Sequence, residues 1–596
     1  MDKVVLGVGL YLALCTIVVL CGFGILQLFK LEATSASLLL SPVIALVFWS
    51  LVLGIASAWR MPIKNVSPWL WGATSLFSIL GLWRVRTQIF PVNLFLLLCA
   101  VLPMITMGRY FLNGLTDYLG SVLPDGWSYT AFAQYLWEYP RGTEGGLAPL
   151  YQYAAHLSGT RFVAPTLLGF LSPLVQAGDT QAVSALFQAW GLFNMTCAAA
   201  FCWLCQKHTK RIVATATVLS VAAGWMVNII WANNFDNELA LAYMPAFVGI
   251  VYLLDVRKWR WWLLLGCLVA GLLYTYPEIS PFILAGAILI VLPRYWHERK
   301  SWRAWLSGIG IMFVTATILL LPVQRALISF VQSQLTATVT GGIRPGEGLF
   351  GGLVSSQFEP AALWGLGSEH QIGSHRDLRN VLGIIFSVLG VMGLAVLARR
   401  QFWGLGLATG LFALGVLYYI LFQSYSYAAY KLLSISWWFL ALLLAIGTDW
   451  VLHLFLKARF VKMIPLGLAF LALVVMTDAL ATDRYLGLQA LTVTPFRQVS
   501  TIKTIAGDSP VRILVDDWIA NEWAVYYLRD IPIDLVMYRM YMAQAYVIPL
   551  MQRAARVDSK ATVYTLTDAS YSETDAAAQG WQKRWSSGPY ALWRTR

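Results

Sequence analysis

"VLPDGWSYTAFAQYLW", Val122 to Trp137, follows a long apolar run and sets an aspartate between Pro124 and Gly126. Pro124 breaks any helix continuing out of that run, and Gly126 permits an unusual backbone angle. The residues that follow have the apolar spacing of an amphipathic interfacial helix, with Trp127, Tyr129, Tyr135 and Trp137 as its anchors. Asp125 is thereby expected at a fixed point near headgroup depth. A carboxylate there can serve as a general base for a hydroxyl or as a metal ligand. N-capping of the following helix is the structural alternative.

The rest of the chain says what the apolar run is. Of 596 residues, 59% are hydrophobic and 12% charged, against about 25% charged in a soluble domain. Runs of eighteen or more apolar residues recur along most of the length, each long enough to span a bilayer. The net charge of +13 does not point to nucleic acid, because the basic residues fall in short clusters between apolar runs. That is the pattern of cytoplasmic loops. The first run, Val4 to Phe29, follows only "MDK", has no small-residue cleavage site and reads as a retained helix. All seven cysteines fall inside expected spans, so no loop offers a disulfide pair. Cys202 and Cys205, with His208 nearby, allow a zinc or redox reading beside the plainer one of small polarizable residues at a helix end.

About fourteen spans are expected, near 4–28, 36–58, 67–83, 89–107, 180–206, 212–231, 239–255, 260–275, 279–293, 304–323, 381–398, 403–421, 432–452 and 463–481. The basic loops 207–211, 255–260, 294–303, 399–400 and 453–462 can all lie in the cytoplasm, with one outward loop between each successive pair. The outward segments are then 108–179, 232–238, the turn 274–278, the long loop 324–380, 423–431 and everything after 482. "WRMPIK" (59–64) is forced outside as well, against the charge rule. "RFVAPTLLGFLSPLVQA" (161–177), broken by Pro165 and Pro173, reads as an interfacial helix on the outer surface. After Thr482, strand patterns at 511–517, 531–538, 561–567 and 590–596 alternate with helical ones at 521–530 and 542–557. The expected fold is an all-α polytopic membrane protein with a small C-terminal α/β extramembrane domain.

Polar groups gather at the outward ends. "NNFDNELAL" (233–241) carries Asp236 and Glu238, and "YTYPEIS" (274–280) carries Glu278. Turn chemistry explains the asparagines, and the helix dipole favours Glu278 in a first turn. The long loop holds "GGIRPGEGLFGG" (341–352) and "SEHQIGSHRDLR" (368–379), but no P-loop lysine-serine pair, so it does not read as an NTPase. It reads as a loop that orders around a substrate, in which Arg344, Arg376 and Arg379 could pair with a phosphate. Glu369, His370 and His375 could ligate a metal, though their spacing is unspecific. Lys431 ends "SYSYAAYK" at the edge of a span, where it either snorkels or lines a sugar or lipid-phosphate pocket.

This layout resembles the C-type (GT-C) superfamily of polyprenyl-phosphate-sugar-dependent glycosyltransferases. Its members have a helical module whose first helix is followed by a large outer loop with an acidic residue near its start. Interfacial helices follow, and a second acidic motif lies in a later outer loop. Here the module would begin at 89–107, with Asp125 in the first loop, 161–179 as the interfacial stretch and "NNFDNE" as the second acidic loop. The resemblance implies an integral membrane enzyme of the plasma membrane, with its site and C-terminal domain extracytoplasmic. It would transfer a hexosyl or pentosyl unit to a lipid, glycan or protein acceptor in cell-envelope glycan biosynthesis. It divides the chain into additional N-terminal helices (1–88), a catalytic module (89–481) and an α/β domain (482–596).

By the same resemblance, Asp125 is the base or a ligand orienting the acceptor hydroxyl. Asp236 and Glu238 assist or, with Asp125, hold a divalent cation such as Mg or Mn. Glu278, His370, Arg344, Arg376 and Lys431 contact substrate, the cations meeting the departing phosphate. No nucleotide cofactor or nucleic acid is expected. The first acidic site is "PDGW" where the family often has paired acids, and some members need no metal. An O-antigen ligase or polymerase type of enzyme would instead rely on arginines and a histidine in 324–380. A lipid-linked glycan transporter or flippase would show internal repeats and acids at mid-span, and this sequence shows neither.

Overall fold

The computed structural model describes residues 3–29, 35–87, 94–112, 114–117, 125–144, 146–157, 161–176, 178–222, 226, 229–230, 234–339, 359–366, 376–399, 403–423, 425–455, 464–471, 498–535, 563–568 and 571–595. The apolar runs form helices α1 (Lys3–Leu28), α2 (Ser35–Ala58), α3 (Ile63–Thr87) and α4 (Leu94–Thr106), followed by the short α5 (Gly108–Leu112). Next come α6 (Asp125–Glu138), α7 (Pro149–His156), α8 (Val163–Leu171), α9 (Ser184–Cys205) and α10 (Lys210–Val221). The chain continues through α11 (Phe235–Ala240), α12 (Tyr243–Leu253), α13 (Trp259–Thr275), α14 (Ser280–His297), α15 (Trp302–Leu320) and α16 (Gln324–Val339). Short α17 (Pro360–Leu363) leads into α18 (Arg376–Arg399), α19 (Trp403–Leu421) and α20 (Ser426–Phe455). Among the described residues, seven helices are long and apolar enough to cross a membrane, and shorter apolar helices accompany them. This is a multi-pass, all-α membrane protein. Of the last expected span, 463–481, only 464–471 is described, as helix.

Helices α18 and α20 meet backbone to backbone. A Cβ on Gly447 of α20 would lie 2.0 Å from the Leu389 carbonyl oxygen, and one on Gly393 of α18 would lie 2.1 Å from that of Leu443. In lipid, where burial of apolar surface gives no drive to associate, such small-residue contacts let helices gain packing. Gly447→Val is therefore expected to lower the unfolding temperature of the detergent-solubilised protein by several degrees. Gly410→Val, at a site with nothing within 4 Å, should leave it unchanged. Equal shifts for the two variants would refute the contact's importance.

The C-terminal part begins with α21 (Ile502–Ala506) and holds β1 (Val511–Leu514), α22 (Trp518–Tyr527), β2 (Ile533–Asp534), β3 (Tyr564–Thr567), α23 (Glu573–Ala578), β4 (Gln582–Ser587) and β5 (Tyr590–Arg594). The sheet order is β2-β1-β3-β5-β4, with β1 parallel to both neighbours and β5 antiparallel to β3 and β4. The sequence pattern marks β1, α22, β2, β3 and β5. It misses α23 and β4, whose strand is largely exposed and polar. The expected helix at 542–557 lies outside the described residues.

The helix α22 docks this domain onto the first large connection. The Trp127 indole donates to the Glu522 carbonyl at 2.7 Å, and the Tyr527 hydroxyl donates to Gln181 Oε1 at 3.2 Å. The backbone N–H of Gln181 donates to the Tyr526 hydroxyl at 3.3 Å. This contact corrects two expectations. Trp127 and Tyr135 are buried in protein instead of anchoring in an interface, because α7 and α22 cover α6. Likewise 163–171 is not a surface helix: every residue of α8 is buried, packed between α6 and α2.

The turn 59–62 between α2 and α3 lies at the domain-bearing end, where Lys64 Nζ reaches Glu138 Oε2 at 2.9 Å. The basic cluster forced outside by the span count thus finds a local counter-charge. At the opposite end, Arg211 at the start of α10 pairs with Asp449 near the end of α20 at 2.5 Å.

Candidate active site

Five connections at the domain-bearing end deliver charged groups to one place. Asp125 opens α6, where the helix N-terminus favours a carboxylate. Arg161 lies two residues before α8, Asp236 lies in α11, Glu278 in the turn between α13 and α14, and Lys431 in the second turn of α20. Arg161 is the hub. Its Nη1 pairs with Asp236 Oδ2 and also lies 3.3 Å from Glu278 Oε1. Lys431 Nζ stands 3.4 Å from that same Glu278 oxygen. Asp236 Oδ1 accepts from the backbone N–H of Asn237 at 2.8 Å.

Aromatic rings frame these charges. The Arg161 guanidinium carbon lies 5.2 Å, and Lys431 Nζ 5.3 Å, from the centre of the Tyr276 ring, while Lys431 Nζ is 4.8 Å from that of Tyr427. Each cation is thus held by a carboxylate and by ring faces.

Burial sets the protonation of the acids. Desolvation raises Asp125, and Asp236 adds to the rise, while Arg161 and Lys431 oppose it; the carboxyl titrates at about 6. Desolvation also pushes Glu278 upward, but Arg161 and Lys431 outweigh it and leave this carboxyl below its ordinary value. Glu278 is therefore a fixed anion, and Asp125 is an acid poised to exchange a proton near neutrality. Arg161, despite its desolvation, is raised well above its ordinary value by Asp236 and Glu278, so it stays charged.

Of the residues expected to form the site, the fold brings Asp125, Asp236, Glu278 and Lys431 together. Glu238 is turned away. Positions two apart on a helix point about 200° apart, so with Asp236 facing Arg161, Glu238 packs against α9 at Gly191. Both its carboxylate oxygens are buried without a hydrogen-bond partner among the described residues, and desolvation raises its pKa strongly. Asp125, Asp236 and Glu238 therefore do not fit a divalent cation. Glu238 faces elsewhere, Asp236 is already paired with Arg161, and among the described residues no three His, Cys, Asp or Glu are placed to hold a metal ion. Arg344 and His370 lie outside the described residues, and Arg376 opens α18 with its side chain outside them.

Arg161, Tyr276 and Tyr427 escape a reading by loops. Their only signal is position: an arginine just before a segment that must turn into protein, and tyrosines two residues before Glu278 and four before Lys431.

An apolar cleft of about 590 Å³ runs between α17, α19 and α20, lined by Trp364, Phe412, Ile420, Leu433 and Phe439. Leu433 lies two positions beyond Lys431, so the cleft flanks α20 on the side turned from the charged cluster.

The fold and this cluster define a polytopic membrane protein with acids and cations gathered at one end of its helices. No family model matches the chain, and no curated protein matches it. Two solved structures are similar in outline. One is ArnT from Cupriavidus metallidurans in the apo state, at 12% identity and a TM-score of 0.46, covering 85% of this chain and 98% of that one. The other is the archaeal oligosaccharyltransferase AglB from Archaeoglobus fulgidus, in complex with an inhibitory peptide and a dolichol-phosphate. It aligns at 11% identity and a TM-score of 0.43, covering 81% of this chain and 70% of that one.

Proposed function

We propose that the chain is a GT-C-type glycosyltransferase of the plasma membrane. It moves a sugar from a polyprenyl-phosphate donor to a lipid, glycan or protein acceptor on the extracytoplasmic face, with Asp125 as base. The observation that carries this reading is the convergence of an acid titrating near neutrality with two fixed cations, all from connections at one end of the membrane helices. The basic loops 207–211, 255–260, 294–303 and 399–400 fall at the other ends of the same helices, which supports an extracytoplasmic site under the positive-inside rule.

The chemistry follows from the groups present. A polyprenyl phosphate carries its charge at headgroup depth, so its sugar must react where a membrane helix meets water. Asp125, ionised above about pH 6, accepts the proton of the acceptor hydroxyl as that oxygen attacks the anomeric carbon. The bond from that carbon to the phosphate oxygen breaks, and its electron pair leaves with the phosphate. Arg161 and Lys431 meet the charge that develops there. Both carboxylate contacts of Arg161 use Nη1, and its side chain keeps 27% exposure, so part of its donor fork is open to a ligand. Asp236 and Glu278 hold the two cations in place.

The test uses the protein reconstituted with a radiolabelled polyprenyl-phosphate sugar. Label should leave the lipid-phosphate fraction. Lys431→Met should raise the KM for donor about ten- to a hundredfold, the worth of a charge-assisted hydrogen bond. An unchanged KM would remove the phosphate from beside Lys431.

A further inference from the structure

A second cleft lies at the far end of α6, between the first large connection and the sheet domain. It measures about 610 Å³, and its walls are Glu138, Tyr139, residues 146–149, Tyr151 and the segment Arg529–Ile533. That volume falls within the range of small-ligand pockets, about 300–1,000 Å³. The mechanism above uses none of these residues.

The lining selects the ligand's chemistry. Tyr139 and Tyr151 meet edge to face at 5.0 Å between ring centres, giving an apolar platform with hydroxyl tips. The charges around it are already balanced. Glu138 pairs with Lys64 at 2.9 Å, and Asp530 pairs with Lys503. Arg529 donates to the Tyr526 carbonyl at 3.0 Å and to the Gly178 carbonyl at 3.4 Å. An anion would meet two carboxylates and one committed guanidinium, which disfavours it. A neutral polyol meets rings for its C–H faces and oriented carboxylates, hydroxyls and peptide groups for its hydroxyls. The partly exposed Glu138 and Asp530 side chains, at 34% and 54%, can accept from a ligand without giving up their counter-ions.

We propose that this cleft is a saccharide-binding subsite that holds a neutral part of the acceptor glycan. The word acceptor rests on the transferase reading; the binding itself does not. The fourteen residues of α6, at 1.5 Å each, put the cleft about 20 Å from Asp125. A sugar bound here is remote from the bond being formed. The site thus fits an acceptor several sugar units long, gripped at one end while the other end reaches the base.

The full-length protein in lipid nanodiscs is applied to an array of neutral, uronic-acid and phosphorylated oligosaccharides. Neutral glycans should bind. Tyr139→Ala and Asp530→Asn should each weaken that binding by about tenfold, the loss of one anchoring contact. Asp530→Asn is isosteric at an exposed position and guards against loss of fold. Asp125→Asn should bind as the parent does, so a failure of the catalytic assignment leaves this test readable. The subsite is refuted if no neutral glycan binds above empty nanodiscs, if anionic glycans are preferred, or if both cleft variants bind unchanged.

Discussion

Asp125→Asn is expected to lower the turnover number for sugar transfer by about 10²–10⁴, the usual contribution of a general base, with donor KM little changed. The amide keeps the shape of the carboxylate and its place at the start of α6 but cannot take a proton. In the unsubstituted protein, turnover should rise tenfold per pH unit up to about 6 and level off above it, because the base must be ionised and titrates there. The residual rate of Asp125→Asn should be flat over the same range.

Stability gives an independent check on the same residue. The folded state raises this carboxyl from 3.8 to about 6, so the fold disfavours its ionised form. The sign follows from linkage: the unsubstituted protein loses stability as pH climbs from about 4 to 6, and stays lower above that. The Asp125→Asn protein should therefore melt at or above the parent's temperature at pH 7.5. That advantage should shrink as pH falls through 6 and vanish below about 4. A variant that melts far lower, or that transfers sugar at the parent rate, would show Asp125 to be a helix cap and nothing more.

The order of the helices was legible because membrane spans declare themselves by length and composition. From α9 to α20 each basic turn is followed by a turn or loop at the other end, and the count of spans fixes which acids share an end. Asp125, Asp236, Glu278 and Lys431 could thus be grouped without knowing any distance.

What resisted reading depended on contacts far apart in sequence. Arg161 and Asp236 are 75 residues apart, and nothing local marks their pairing. The direction of Glu238 turned on whether 235–240 is a helix or a turn, and asparagine-rich stretches suit both. Trp127 has the composition of an interfacial anchor, and a domain more than 380 residues further along the chain covers it instead. Strand β4 has no apolar alternation to announce it and exists because β5 pairs with it.

Arg161→Ala should be the most damaging single substitution at the site, and for two separable reasons. Its Nη1 serves two carboxylates at once, and Asp236 is 1% exposed. Removing the partner of a buried charge costs about 3–5 kcal/mol; the partial exposure of Arg161 places this case toward the lower figure. The variant should accordingly extract poorly and melt several degrees lower. If Arg161 also meets the departing phosphate, transfer should fall a further 10²–10³, the cost of losing one donor aimed at developing charge. Arg161→Lys should recover most of the stability and only part of the rate, because an ammonium supplies charge without the planar fork. The double variant Arg161→Ala with Asp236→Asn separates the two roles. It has no stranded anion at Asp236, so its melting temperature should return most of the way to the parent's. Its transfer rate should stay as low as that of Arg161→Ala alone. If folding and transfer recover together, Arg161 is only the counter-ion of Asp236, and the charge on the leaving phosphate is met by Lys431 without it.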